Sequence, residues 1–106
     1  MSALVRVAAA ADVPVGRGRV YTVAGRAVAV FNVDGAFHAV ENTCPHAGGP
    51  LGEGDLRGAV VSCPWHQWPF DVTTGCLQRP PALRLARFAV EVQGADLLVG
   101  TQPLAD

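Results

Sequence analysis

The segment from Glu41 to Gln67 contains too many chain-breaking residues for long regular elements. Glycine and proline recur along it, at Pro45, Gly48, Gly49, Pro50, Gly52, Gly54, Gly58 and Pro64. Proline cannot donate to a β ladder, and glycine weakens strands and helices, so the segment is predicted to form loops. Long ordered loops in a small domain are usually functional. We therefore expect the rest of the chain to be a scaffold for this segment.

The rest of the chain has the composition of β-strands. Short runs rich in Val, Phe and Tyr, such as "RVYTVA", "AVAVFNV" and "RFAVEV", are separated by Gly, Pro, Asn and Asp. Turn signals between such runs lie at Asp34-Gly35, at Thr74-Gly75 and at Gly94 to Asp96. The sequence therefore predicts an all-β fold.

The composition excludes several classes of function. Half of the residues are apolar, 16% are charged and the formal net charge is −1, which is typical of a compact globular protein. Eight basic residues against nine acidic ones, without a basic run, argue against a nucleic-acid partner. The apolar runs are far shorter than the roughly 18 residues of a transmembrane helix, and Arg6 interrupts the N-terminal one. We therefore expect a cytoplasmic protein that does not associate with a membrane.

Two of the three cysteines and two of the three histidines lie in matched brackets inside the loop segment. The first bracket is Cys44-Pro-His46 and the second is Cys63-Pro-Trp-His66, with sixteen residues between His46 and Cys63. An odd cysteine count does not favour a disulfide scaffold. In a reducing compartment, clustered Cys and His indicate a metal. These four residues are therefore the candidate ligands.

Three other interpretations of the brackets are weaker. Cysteines that are merely buried and histidines that are merely exposed would rarely fall in two matched clusters. Structural zinc sites usually pair like ligands locally, whereas each bracket pairs unlike ligands. A catalytic cysteine needs one thiol, one base and an orienting group, which leaves the second bracket unexplained. Outside the brackets, Cys76 is expected to be a spare thiol and His38 an outward-facing strand residue.

A two-iron cluster accounts for the order of the ligands. In Rieske-type [2Fe–2S] centres two thiolates bind one iron and two imidazoles bind the other. The brackets, with the continuation "WPFDVTTG" at 68–75, resemble the signature of the Rieske family. The resemblance implies one [2Fe–2S] cluster, with Cys44 and Cys63 on the inner iron and His46 and His66 on the outer iron.

The resemblance also implies the architecture. It covers nearly the whole chain and predicts the Rieske iron–sulfur fold, in which a small antiparallel β sandwich base carries a two-loop cluster-binding subdomain. On this basis we place the loops at approximately 41–56 and 62–70, within a single domain that spans 1–106.

Three departures separate the chain from the quinol-oxidising members of the family. Those proteins resemble it but add a cysteine to each loop, where this chain has no cysteine at 47–49 and has Trp65 in the second loop. They also carry an N-terminal membrane anchor, which we do not expect here. Finally, they donate hydroxyl hydrogen bonds near the cluster, at positions that match Trp68 and Phe70. The loss of two such bonds predicts a potential lower by roughly 130–260 mV, near the low end of the Rieske range of about −150 to +300 mV.

A fourth departure is Gln67, which stands where many members have glycine. The ligand motif is otherwise intact, so we expect the cluster to bind.

The resemblance implies an electron carrier and not an enzyme. The chain is similar to the ferredoxin component of bacterial ring-hydroxylating oxygenase systems, which passes electrons from a flavin-dependent reductase to a terminal oxygenase. Such a carrier is expected to be a monomer when free. The alternative is the small Rieske subunit of an NAD(P)H-dependent nitrite reductase, bound to the large subunit of that complex.

Overall fold

The structure, a computed structural model, describes residues 3–44, 48–65, 67–79 and 83–104. Within these ranges the strands are β1 (Leu4–Ala9), β2 (Gly18–Val23), β3 (Arg26–Val33), β4 (Ala36–Glu41), β5 (Asp55–Arg57), β6 (Val60–Ser62), β7 (Pro69–Asp71), β8 (Arg87–Gln93) and β9 (Asp96–Pro103). Two 3-10 turns, η1 (Ala10–Asp12) and η2 (Leu51–Glu53), follow β1 and precede β5. No helix in the described ranges is long and apolar enough to cross a membrane.

The strands form two antiparallel sheets, which confirms the predicted all-β class. The larger sheet has six strands in the order β1-β9-β8-β4-β3-β2, and the smaller one has three in the order β5-β6-β7. The larger sheet curls, so that its edge strands β1 and β2 lie beside each other. Strand β5 of the smaller sheet follows the first cysteine loop, and the second cysteine loop connects β6 to β7.

Tight turns set the register of the larger sheet. Asp34 and Gly35 have φ of 51° and 94° and connect β3 to β4, as the Asp-Gly signal predicts. The β2–β3 connection has the same positive φ at Ala24 and Gly25, 51° and 81°. Alanine is not a typical residue for this conformation, so the sequence alone did not indicate this turn. The predicted turn at Gly94 to Asp96 is confirmed between β8 and β9.

Strand β3 is buried on both faces. Val28, Ala29, Val30 and Phe31 are all 0% exposed, which is the pattern of a strand covered from both sides. Val28 and Val30 belong to a core inside the curled sheet. Ala29 and Phe31 belong to a second core that the smaller sheet and the cysteine loops share. Strand β3 therefore joins the scaffold to the loop region.

His38 does not face outward as expected. It lies on β4 directly opposite Phe31, with which it shares one face of the sheet, and it is half-buried. Because both faces of β4 are covered, alternation along this strand does not separate exposed from buried positions.

The turn η2 attaches the first cysteine loop to the larger sheet. The Gly52 N–H donates to Asn42 Oδ1 at 2.8 Å, and the Leu51 N–H donates to the Asn42 carbonyl at 2.7 Å. A Cβ added at Gly52 would lie 2.3 Å from Val20 Cγ2, so only glycine allows this close approach. The loop is thereby held against a rigid support.

Candidate metal centre

The first cysteine loop is a hydrogen-bonded hairpin. The Cys44 N–H donates to the Gly49 carbonyl at 2.9 Å, and the Gly48 N–H donates to the Cys44 carbonyl at 2.8 Å. A further bridge between Thr43 and Pro50 closes the base of the loop. Cys44 is therefore held at the start of a closed loop.

The second cysteine loop repeats this pattern. The Cys63 N–H donates to the Trp68 carbonyl at 2.9 Å, and the Gln67 N–H donates to the Cys63 carbonyl at 2.8 Å. In both loops the cysteine N–H donates to the carbonyl of the residue five positions later in the chain. The cysteine carbonyl accepts from the N–H of the residue four positions later. The matched brackets of the sequence thus correspond to matched backbone geometry.

The equivalent position of each loop has a left-handed backbone. Gly48 has φ of 76° and Gln67, which lies at the same place in the second loop, has φ of 59°. This conformation costs roughly 1–2 kcal/mol for a residue with a Cβ. The departure noted at Gln67 therefore strains the second loop without changing its hydrogen bonds.

The two thiols lie in one buried core. Cys44 is 1% and Cys63 0% exposed, and both belong to the core that includes Leu51 and Phe70. All three cysteines of the chain are thiols and not disulfides. The structure therefore brings the two predicted thiolate ligands together from opposite loops.

The two predicted imidazole ligands, His46 and His66, lie outside the described residues. Among the described residues, no group of three or more His, Cys, Asp or Glu side chains could hold a metal ion. The part that the histidines play in the site stays a prediction.

Gly49 is a contact point between the two loops that the sequence did not single out. A Cβ at this position would lie 2.7 Å from Cys63 Sγ and 3.1 Å from Trp65 Cγ. Any side chain would therefore press on the thiol of Cys63. The sequence showed Gly49 only as one of several loop glycines, because the contact depends on how the second loop folds back.

The stretch after the second loop closes the core. Asp71 Oδ1 accepts hydrogen bonds from the Thr73 N–H at 2.8 Å and from Thr73 Oγ1 at 2.6 Å. Gly75 has φ of 81°, and a Cβ there would lie 2.7 Å from the Leu85 carbonyl. The predicted Thr74-Gly75 turn is confirmed, and it returns the chain so that Leu77 joins the core of the cysteines.

Comparison with known proteins decides the family. The Rieske [2Fe-2S] domain family matches residues 3–89 of this sequence. The chain belongs to the Rieske family. The Rieske ferredoxin component of the naphthalene 1,2-dioxygenase system of Pseudomonas aeruginosa is 32% identical over 83% of this chain and 86% of that protein. Ferredoxin CarAc of Metapseudomonas resinovorans is 38% identical over 89% of this chain and 90% of that protein.

Solved structures agree with this assignment. A chain from the complex of reduced oxygenase and oxidized ferredoxin in carbazole 1,9a-dioxygenase has a TM-score of 0.90 and 34% identity, over 97% of each chain. A chain described as the small subunit of an NADPH nitrite reductase has a TM-score of 0.79, over 92% of this chain and 97% of that one. Its identity is 21%, so this second likeness shows the Rieske fold alone.

As a Rieske protein related to ferredoxins, the chain carries one [2Fe–2S] cluster and is an electron carrier, not a catalyst. When bound, such a cluster supplies reversible one-electron transfer. The described donors fit this group, because soft thiolates are the usual ligands of iron–sulfur clusters and two buried thiols, one from each loop, belong to the same core. The absence of a Cβ at Gly49 avoids a contact of 2.7 Å with Cys63 Sγ.

The core around the Rieske thiols is apolar. Phe70 is 0% exposed and belongs to the core of both cysteines. Among the described residues only Asn32 is both polar and buried, and its amide bonds the Val13 carbonyl and the Gly35 N–H. Within the described part of this core, therefore, no fully buried hydroxyl side chain lies beside the thiols.

Trp65 and Trp68 differ in their surroundings. Trp68 packs against the core of the cysteines, and the guanidinium carbon of Arg79 lies 5.4 Å from the centre of its ring, a cation–π distance. Trp65 is 57% exposed. Trp68 is therefore mainly a packing residue, whereas Trp65 has one exposed side.

Cys76 is separate from these features. It is half-buried, and its N–H donates to Thr74 Oγ1 at 3.2 Å. Its expected status as a spare thiol stays a prediction.

Proposed function

We propose that this chain is the ferredoxin of an oxygenase system, which receives one electron at a time from a flavin-dependent reductase and passes it to a terminal oxygenase. The observation that carries this proposal is the match over 97% of both chains with a chain of the carbazole dioxygenase complex. The related ferredoxin components have similar length and belong to dioxygenase systems.

We assign the cluster to four ligands, two from each loop. Cys44 and Cys63 would bind the inner iron, and His46 and His66 the outer one. Two features support the assignment: the buried thiols of the matched loops, and the order of the brackets in the sequence. The ligand loops would span approximately 41–56 and 62–70 of one domain over 1–106.

The reduction potential is proposed to be low. A hydrogen bond to the reduced, more negative cluster stabilises it and raises the potential, so an apolar surrounding has the opposite effect. The buried Phe70 supports a low potential, because its ring has no hydroxyl that could donate a hydrogen bond. We expect a potential near or below about −100 mV, toward the low end of the Rieske range.

The carrier is proposed to act in the cytoplasm, as a monomer when free, without a nucleic-acid or membrane partner. The small net charge and the lack of a basic run support the exclusion of nucleic acid.

The nitrite reductase alternative stands on the fold likeness alone. It predicts a protein that stays bound to a large subunit, whereas the ferredoxin hypothesis predicts a small free carrier.

The experiment is to purify the native protein anaerobically and measure its size, its iron and sulfide content, and its potential by direct voltammetry. The purified protein is then added to a ring-hydroxylating oxygenase and its reductase, and product formation is compared with and without it. Product formation that depends on the protein, with a potential near or below about −100 mV, supports the proposal. A stable complex with a nitrite reductase large subunit, or a potential well above zero, overturns it.

A further inference from the structure

Gly49 and Trp65 face each other where the two ligand loops meet. The position of a Cβ on Gly49 lies 3.3 Å from Trp65 Cβ and 3.1 Å from Trp65 Cγ. Gly49 itself is buried, although it lies in a loop. The base of the Trp65 side chain therefore packs directly on the Gly49 backbone, and its outer part remains exposed to solvent, 57% in all.

This contact differs from the hydrogen bonds that shape the loops. The bonds of Cys44 to Gly48 and Gly49 close the first loop on itself, and those of Cys63 to Gln67 and Trp68 close the second. Such bonds set the shape of each loop separately. The packing of Trp65 on Gly49 instead joins one loop to the other, beside the thiol of Cys63.

We propose that Trp65 is a positioning residue: by packing on Gly49 it holds the two ligand loops together, and it thereby slows the loss of the cluster. The proposal rests on the ligand assignment made above. For the cluster to leave, ligands from both loops must separate from it. A bulky aromatic side chain with few rotatable bonds resists that separation, because parting the loops exposes the apolar area it now covers.

The test measures the rate at which the loaded protein loses its cluster to an iron chelator, followed by the visible absorption of the cluster. Trp65→Ala should lose the cluster about tenfold faster than the wild type, and Trp65→Phe should restore most of the difference. Val15→Ala is the matched control, since Val15 is a similarly exposed apolar residue, 62% exposed, outside the loops. Its rate should equal that of the wild type.

Spectroscopy adds a readout that a Trp65 side chain without contact to the ligand loops would not change. The circular dichroism and the electron paramagnetic resonance of the reduced cluster should shift in Trp65→Ala, because the loops would hold the ligands less firmly.

Two results would overturn the inference. One is a rate and a spectrum of Trp65→Ala that equal those of the wild type, including the case in which only partner binding changes. The other is a Trp65→Phe variant that loses the cluster as fast as Trp65→Ala. A wild type that binds no cluster would instead overturn the ligand assignment, so the two failures are distinguishable.

Discussion

Gly48 and Gln67 occupy the same position in two loops that have the same backbone hydrogen bonds, and both have a left-handed backbone, with φ of 76° and 59°. Each donates its N–H to the carbonyl of the cysteine that begins its loop. The two loops thus impose one conformation on two different residues, only one of which adopts it without strain.

The first prediction concerns this strain. Gln67→Gly removes the strain of a left-handed backbone at a residue with a Cβ, roughly 1–2 kcal/mol. It also makes the unfolded chain more flexible, which lowers the stability by about 0.5–1 kcal/mol. We expect the free energy of unfolding to rise by up to about 1.5 kcal/mol, which raises the melting midpoint by a few degrees. Thermal unfolding of the loaded protein measures this. Gly58→Ala, at φ of 61° in open space, should show the opposite sign.

A lower midpoint for Gln67→Gly would contradict this account. It would mean that the Gln67 side chain makes a stabilising interaction larger than the strain.

The second prediction tests the contact between the loops at Gly49. Gly49→Ala places a methyl group where it would lie 2.7 Å from Cys63 Sγ, so the thiol or the loop must move. Overpacking of this kind costs about 1–3 kcal/mol, and we expect a lower melting midpoint together with an altered visible spectrum of the cluster. Absorption and circular dichroism check the spectrum.

The neighbouring Gly48→Ala is the control for this change. Its methyl group would meet no atom of the described residues within 4 Å and should cost only left-handed strain. If both variants kept the wild-type spectrum, Gly49 would not press on the thiol as the structure indicates.

The third prediction identifies the ligands by matched substitutions. Cys44→Ser and Cys63→Ser should each abolish the Rieske spectrum, because a hydroxyl does not replace a soft thiolate. Cys76→Ser should leave iron and sulfide content unchanged, since Cys76 is half-buried and not part of the buried core of Cys44 and Cys63. Iron and sulfide analysis with electron paramagnetic resonance is the measurement.

The histidines allow the same comparison. His46→Ala and His66→Ala should prevent stable loading, whereas His38→Asn, on strand β4, should retain the cluster with some loss of stability. Loss of the cluster from His38→Asn or Cys76→Ser, in a folded protein, would disprove the assignment.

The fourth prediction concerns the potential. Phe70→Tyr adds a hydroxyl within the core of both cysteines. One hydrogen bond to a charged group is worth about 1.5–3 kcal/mol, so the potential should rise by roughly 60–130 mV. Direct voltammetry measures the shift. Phe88→Tyr adds the same group to the other core, where Phe88 is 4% exposed, and should leave the potential unchanged.

Equal potentials in the Phe70 and Phe88 variants would show that a hydroxyl at position 70 does not reach the cluster. The low potential would then need a different explanation.

Much of the fold followed from local features of the sequence. The Asp34-Gly35 turn and the β class depend on residues that are adjacent in the chain, and both are confirmed. His38 shows the limit of such reasoning: it was expected to face outward and is half-buried, because both faces of β4 are covered, with Ala39 in one core and Val40 in the other. Alternation reports exposure only where one face meets water.

The sequence by itself determined the kind of site, because the residue types and order of the candidate ligands in the two brackets are properties of the chain. The tertiary structure alone decided that Gly49 contacts Cys63 and Trp65, and that Gln67 has a left-handed backbone. These features arise because the two loops pack against each other on a common core. The energies of these contacts depend on interatomic distances, which the residue spacing in the sequence does not specify. The residue types in the two brackets thus indicate the cofactor, whereas packing between the loops determines which residues contact the candidate ligands.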